Sequence, residues 1–127
     1  MNYIFTTVLG LLFSISSILN IPYQTIDEAF SKGDASKIMS LGAAKTLISI
    51  QGKEGIYSKS QATQILGNFF KANPPKSFSF SFKGKGGKAS TFAVGEYVSN
   101  RKFRVSLKFK NINNTYRIES ITITAQK

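Results

Sequence analysis

The sequence predicts an α+β domain in which helices come first and an antiparallel β-meander follows. Between positions 24 and 73, apolar residues recur every three or four positions over two stretches, as in amphipathic helices. After Pro75 they alternate with polar residues, which is typical of strands with one buried face. Helices followed by consecutive strands belong to the α+β class, and 127 residues are enough for one domain but not for two.

The N-terminal segment is apolar and uncharged. The first 26 residues contain no charged side chain, and 14 of the first 23 are apolar. Such a segment is typical of a signal peptide, although no Lys or Arg precedes it and no small-residue cleavage motif ends it. An uncleaved anchor is the alternative, since roughly 20 apolar residues can span a bilayer. We therefore expect residues 1–23 to be a signal peptide or an anchor, and residues 24–127 to form the domain. The expected location is the periplasm or outer envelope, or the membrane if residues 1–23 anchor the chain.

Two short helices are expected at the start of the domain. Thr25 and Glu28 form a capping-box pattern, in which each side chain bonds the backbone N–H of the other residue, so the first helix should begin there. Gly33 should end this helix, because glycine adopts the left-handed conformation that closes many helices. Asp34 should cap the second helix.

A short hairpin and a third helix come next. Residues 47–50 and 56–57 have strand-type composition and are separated by a turn at residues 52–55. Residues 58–61 (SKSQ) form a second capping box, followed by apolar residues at helical spacing. Residues 73–75 (NPP) should end that helix, because proline cannot continue its hydrogen-bond ladder.

The first strand of the meander is rich in phenylalanine. Strict alternation should place Phe78, Phe80 and Phe82 on one face of that strand. The Lys- and Gly-rich residues 83–88 (KGKGGK) then connect two strands and open no helix. They are therefore interpreted as a flexible hairpin loop and not as a phosphate-binding loop.

Three further strands are expected around residues 92–97, 103–109 and 116–125. Their apolar residues alternate with polar ones, except at two points. Gly95 interrupts the strand at residues 92–97, and the step from Ile118 to Ile121 breaks the period of two in the strand at residues 116–125. We expect β-bulges near both points.

Several segments resemble a family of small exported bacterial proteins that is described only as a domain of unknown function. They are IDEAFSKGDASKI, GKEGIYSKSQATQILGNFF, NPPKSFSFSFKG, AVGEY, FRVSLKFK and YRIESITI, within residues 26–123. The order of elements is similar to that of the cone-shaped folds of nuclear-transport-factor-two-like and cystatin-like proteins. The resemblance implies helices packed on a curved meander and an exported location, and it supplies no catalytic residues. Lys83 and the Lys-rich loop depart from the family pattern.

The residue types exclude several classes of chemistry. The chain has no Cys and no His, which excludes thiolate nucleophiles, zinc–cysteine sites and a histidine general base. Three of the six carboxylates lie at expected helix starts. Glu96 and Glu119 should face solvent or pair with Arg104 or Arg117. We therefore expect no metal site, no cofactor and no catalytic residue.

The sequence favours a non-enzymatic module of the bacterial cell envelope that binds a ligand or a partner. A small-molecule enzyme of isomerase or dehydratase type is the alternative, because cone folds host both functions. Tyr57, Phe82 and Tyr97 are the candidate ligand-binding residues, as aromatic side chains at the mouth of a pocket. The candidate partners are a small molecule, an envelope protein and a second copy of the chain.

The charge distribution points to a further class of partner. The formal charge is +11, and residues 59–127 account for all of it, with 13 bases and two acids. Arg104, Lys108 and Lys110 share one face of a strand, and Arg117 on the next strand should join them. Such a face attracts an anionic glycan or lipid. Nucleic acid is disfavoured, because the chain is expected to be exported and lacks an aromatic-rich recognition motif.

Overall fold

The computed structural model describes residues 20–127, which form three helices and six strands. The helices are α1 (Tyr23–Lys32), α2 (Ala35–Ser40) and α3 (Lys59–Ala72). The strands are β1 (Gly42–Ile50), β2 (Lys53–Ser58), β3 (Ser77–Lys83), β4 (Ser90–Val98), β5 (Lys102–Ile112) and β6 (Thr115–Ala125). The predicted order of elements is confirmed. The expected signal peptide or anchor lies mostly outside the described residues.

All six strands belong to one sheet, in the order β2-β1-β6-β5-β4-β3. The strands β3 to β6 form the predicted antiparallel meander. The short hairpin extends this sheet, because β1 pairs in parallel with β6 while β2 pairs antiparallel with β1. One side of the sheet, the covered face, packs under the helices. The opposite side, the open face, is exposed to solvent.

Four of the five predicted helix boundaries are confirmed, including the end of α3, which stops at Ala72 directly before Asn73. Gly33 ends α1 in the left-handed conformation, with φ at 67°. Asp34 caps α2 by accepting a hydrogen bond from the Lys37 N–H at 3.0 Å. Ser58 and Gln61 form the capping box of α3. The predicted cap at Thr25 is wrong, because α1 begins two residues earlier and the residue before it, Pro22, makes no side-chain cap.

The strand β3 contains a bulge that the unbroken alternation conceals. Phe80 pairs with Gly95, and Phe82 pairs with Val94, which is adjacent to Gly95. Two steps along β3 therefore match one step along β4, and Ser81 is the extra residue. One extra residue moves every following side chain to the other face of a sheet. Phe82 therefore lies on the open face, and the prediction that it shares a face with Phe80 is wrong. The bulge expected at Gly95 lies on the partner strand.

A second bulge confirms the break in the alternation of β6. Lys108 pairs with Ser120 and Phe109 pairs with Ile118, so Glu119 is the extra residue. The bulge keeps the apolar side chains on both sides of it in the core, where Ile118 and Ile121 are buried.

Aromatic rings fill the space between helices and sheet. Phe30 of α1 stacks on Phe78 with ring centroids 4.8 Å apart, and Phe69 of α3 meets Phe103 edge to face at 5.1 Å. The Phe78 ring lies over Gly95, where a Cβ atom would overlap it. Within the described residues, no buried side-chain nitrogen or oxygen lacks a hydrogen-bond partner. The centre of the domain is therefore a packed core.

Tyr23 belongs to this packing. It is the last residue of the segment expected to be a signal peptide or anchor, and it is the first residue of α1. Its ring lies edge-on to Phe80 and Phe109, at centroid distances of 5.2 and 5.8 Å. Among residues 20–127, no helix is long and apolar enough to cross a membrane.

Candidate functional site

A cleft opens between α3 and the β1–β2 hairpin, at the edge of the packed core. Its volume is about 500 Å³, within the range of small-molecule sites. The apolar residues of the cleft are Ile48, Ile50, Ile65, Phe69 and Ala72, and its polar residues are Gln51, Lys53, Tyr57, Asn68 and Asn73. Half of the lining residues are polar, so the cleft offers both an apolar surface and several hydrogen-bonding groups to a small organic molecule.

Tyr57, a predicted ligand-binding residue, lines this cleft. It pairs with Thr46 of β1, which is completely buried, so the Tyr57 ring points to the covered face. The ring bends back over Gly55, where a Cβ atom would overlap it. Glycine at position 55 therefore leaves the space in which the Tyr57 side chain lies.

The polar groups of the cleft differ in how firmly they are held. Gln51 accepts a hydrogen bond from the Ala125 N–H at 3.2 Å, and the Asn73 side-chain amide donates to the Phe69 carbonyl at 3.2 Å. Lys53 and Asn68 are exposed side chains at the rim. Lys53 is the one charged residue that lines the cleft. The cleft can therefore bind a neutral or anionic molecule, with amides and one ammonium group as its polar contacts.

Tyr97, the second predicted ligand-binding residue, lies beneath the cleft. Its side chain is fully buried, and its hydroxyl donates to the Asn73 carbonyl at 2.5 Å. The ring packs against Phe69 at a centroid distance of 5.5 Å. Burial raises the pKa of Tyr97 to about 12. Tyr97 thus supports two residues that line the cleft, and it does not line the cleft itself.

Phe82, the third predicted ligand-binding residue, lies on the other side of the sheet. It stacks on Phe92 with ring centroids 4.9 Å apart, and the two side chains are 49% and 54% exposed. The structure therefore places the three predicted residues in three different surroundings. The polar residues that accompany Tyr57 in the cleft were not predicted, because they come from three separate elements and share no motif.

The four predicted anion-binding residues all lie on the open face. Lys110 pairs directly with Arg117 across the strands β5 and β6. Lys108 lies 3.8 Å from Glu119, which therefore pairs with a lysine and not with the expected arginine. Arg104 lies opposite Glu96 in the ladder between β4 and β5. No carboxylate lies opposite Lys110 on the neighbouring strand β4, where its partner is Ser90.

Two tyrosine hydroxyls hold the glycine-rich loop in place. The Tyr23 hydroxyl donates to the Gly84 carbonyl at 2.6 Å. The Tyr116 hydroxyl accepts from the Lys88 N–H at 3.0 Å and donates to the Lys88 carbonyl at 2.6 Å. Both tyrosines are distant from the loop in sequence, so no local pattern predicts these contacts. The segment interpreted as a flexible hairpin is anchored at both ends.

A family model for a domain of unknown function, DUF4783, matches residues 23–124 of this chain. The chain belongs to the DUF4783 family. The family match begins at Tyr23, the first residue of α1, and ends within β6. The resemblance expected from the sequence is confirmed. No curated protein matches the chain.

Solved structures confirm the fold. A DUF4783 protein from Bacteroides uniformis is 28% identical, with a TM-score of 0.79 over 85% of this chain and 99% of the other. An NTF-2 like protein of unknown function from Silicibacter pomeroyi is 12% identical, with a TM-score of 0.60 over 94% and 98%. A domain with a cystatin-like fold from Nostoc punctiforme is 8% identical, with a TM-score of 0.64 over 83% and 73%. This DUF4783 protein therefore has the expected α+β cone fold.

Proposed function

We propose that this DUF4783 protein is an exported, non-enzymatic module of the bacterial cell envelope that binds a small organic ligand in the cleft beside α3. The cleft carries the proposal, because it combines an apolar floor with a polar rim in a volume of about 500 Å³. Export is supported by the uncharged, apolar character of the first 23 residues.

The lining of the cleft defines the class of ligand. The side chains of Ile48, Ile65 and Phe69 offer an apolar floor, against which a ring or a short aliphatic body would pack. Lys53 and Asn68 at the rim would bind a carboxylate or another hydrogen-bond acceptor. The ligand is thus an apolar molecule with one acidic or carbonyl-bearing end.

The positions of the carboxylates favour binding over catalysis. None of the six Asp and Glu residues of the chain lines the cleft. Asp34 caps α2, and Glu119 pairs with Lys108 on the open face. General acid–base catalysis requires a titratable group within hydrogen-bond reach of the reacting atoms. Lys53 and Tyr57 are the titratable residues of the cleft, so a catalytic function would have to use one of these two side chains without a carboxylate partner there.

Binding in the cleft can be tested with a panel of aromatic and aliphatic carboxylic acids. Ligands should shift the amide NMR signals of β2 and the second half of α3. Tyr57→Ala should weaken binding by roughly tenfold. Ile56→Ala is the matched control, because Ile56 is the neighbouring residue on the open face and is 68% exposed.

Two results would contradict the proposal. One is a set of shifted signals that lies outside the cleft, and the other is equal loss of affinity in the two variants. Chemical conversion of a bound compound by the wild-type protein, abolished by Tyr57→Ala, would establish an enzyme in place of a binding module.

Binding of an anionic glycan is a second candidate, favoured by the four basic side chains on the open face. The pair of Lys110 and Arg117 supports it most directly. A sulfated polysaccharide should lose affinity when Arg104, Lys108 and Lys110 are all changed to Glu. A control variant with Lys32, Lys59 and Lys71 changed to Glu carries the same charge. Undiminished binding by the first variant would refute this candidate.

A further inference from the structure

The end of the sheet at the β3–β4 loop combines positive charge with exposed apolar side chains. Lys83, Lys85 and Lys88 are exposed in and beside this loop of residues 84–89. We refer to these lysines, Phe82, Phe92 and Ile112 as the loop end. No acidic residue occurs between positions 55 and 95, so the loop is basic throughout.

Three of the four exposed large apolar side chains among residues 20–127 lie at the loop end. They are Phe82, Phe92 and Ile112, and the fourth is Ile56. Phe82 and Phe92, two residues before and three residues after the loop, stack on each other. Ile112 lies beside the C-terminal end of the loop, because the neighbouring Asn111 N–H donates to the Ala89 carbonyl at 2.8 Å. Exposed apolar side chains that occur together mark an interaction surface.

The loop end is held in a defined position. The hydroxyl groups of Tyr23 and Tyr116 bond the backbone at its two ends, at Gly84 and Lys88. The Gly84 N–H also donates to the Phe92 carbonyl at 2.9 Å. Ordering this surface on binding therefore costs little additional conformational entropy.

The apolar N-terminal segment joins the fold at the loop end. Asn20 and Ile21 line a recess of about 470 Å³ together with Lys85 and Gly86. The 19 residues before Asn20 contain no charged side chain and are mostly apolar. Where residues 1–23 are retained as an anchor, the membrane segment is linked through Asn20 and Ile21 to the most basic loop of the molecule.

We propose that the loop end binds the surface of an anionic lipid bilayer. Lys85 and Lys88 contact headgroup phosphates, while Phe82, Phe92 and Ile112 enter the boundary between headgroups and acyl chains. Lys83, whose Nζ lies 5.9 Å from the centre of the Tyr23 ring on the covered face, adds to the positive potential. Basic residues next to an apolar membrane segment are attracted to anionic lipids, and stable membrane binding takes two such signals. A soluble glycan would engage the lysines but would gain nothing from the exposed Ile112.

This surface is separate from the cleft, and the use of the N-terminal segment as its second membrane signal rests on the proposed envelope location. A ligand in the cleft contacts α3 and the β1–β2 hairpin, whereas the bilayer contacts the other edge of the sheet. Failure of ligand binding in the cleft therefore leaves the bilayer proposal intact, and the reverse also holds.

Vesicle partitioning of the full chain tests the proposal. The probes are vesicles of phosphatidylcholine alone and of phosphatidylcholine with phosphatidylglycerol. Changing Lys85 and Lys88 to Glu should lower partitioning onto the anionic vesicles at least about tenfold. The control changes Lys59 and Lys71 to Glu, with the same net charge, and should lower it less than about twofold. Residues 1–19 are present in every variant, so their contribution cancels.

A fluorescent reporter tests the orientation. Because the chain has no Cys, Ile112→Cys and Gln64→Cys can each carry a single environment-sensitive dye. The dye at position 112 should shift to shorter wavelength on anionic vesicles, and the dye at position 64 on α3 should not.

Four results would overturn the proposal. Three are equal losses in the two lysine variants, equal partitioning onto neutral and anionic vesicles, and equal shifts of the two dyes. Binding of a sulfated polysaccharide by the loop lysines without binding of vesicles would also overturn it, in favour of a glycan site.

Discussion

The two faces of the sheet are built from the same alternation and serve different purposes. On the covered face, aromatic rings close the space under the helices, and the buried Tyr97 hydroxyl is satisfied by the Asn73 carbonyl. On the open face, Phe82 and Phe92 stack in solvent beside lysine and arginine side chains. The comparison shows that the centre of this cone is filled. The two proposed binding surfaces lie at its margins, in the cleft beside α3 and at the loop end.

The largest expected effect comes from opening the covered face. Phe30 is fully buried, stacks on Phe78 and lies edge-on to Phe70. Phe30→Ala should lower the free energy of unfolding by about 3–5 kcal/mol, because it leaves a cavity among rigid rings. Urea denaturation measures the change. Phe92→Ala on the open face is the matched control and should cost less than about 1 kcal/mol. Similar losses for both would show that the two faces are energetically equivalent.

A smaller effect is expected where the core supports the cleft. Tyr97→Phe removes the hydrogen bond to the Asn73 carbonyl and should cost about 1–2 kcal/mol. The substitution should also alter the pH dependence. The pKa of Tyr97 is about 12 in the folded protein, against about 10 in an unfolded chain. The folded state therefore holds the proton more tightly, so this stabilisation is complete below pH about 10 and is lost as the pH rises through about 12.

Urea midpoints measured between pH about 9 and 12 check the alkaline effect. The wild-type midpoint should fall more steeply with pH than that of Tyr97→Phe. Some dependence should remain in the variant, because burial also raises the pKa of Tyr23. Parallel curves for the two proteins would mean that Tyr97 does not contribute to the alkaline loss of stability.

The smallest effect on stability is expected at the loop end. Phe82→Ser should change the free energy of unfolding by only about 0.5 kcal/mol, because the side chain is half exposed on the open face. Its partitioning onto anionic vesicles should nevertheless fall. A loss of stability as large as that of Phe30→Ala would place Phe82 in the core and restore the face first predicted for it.

The local features of the fold could be predicted from the sequence, and the non-local ones could not. The capping box at Ser58 and the helix stop at Gly33 depend on neighbouring residues, and both are confirmed. The bulge at Ser81 leaves the alternation of β3 unbroken, so only the register with β4 shows it. The parallel pairing of β1 with β6 joins distant segments by backbone hydrogen bonds and has no signature in either strand.

The candidate site shows the same division. Tyr57 could be predicted from the sequence as an aromatic side chain at the mouth of a pocket, and it lines the cleft. The amide groups around it come from the β1–β2 turn and from α3, which only the tertiary fold brings together. The tyrosines that hold the loop end were not singled out, because Tyr23 lies 61 positions from Gly84.

The central position of β6 has a consequence for the order in which the molecule can fold. The last strand of the chain lies between β1 and β5, so it joins the first hairpin to the rest of the sheet. A contact such as that between Gln51 and Ala125 spans 74 positions. Without β6, no strand pairing joins the first hairpin to the strands β3 to β5, and such long-range closure slows folding. A sheet that closes by such long-range pairing leaves the chain unfolded for longer, and the export proposed above would draw on that unfolded state.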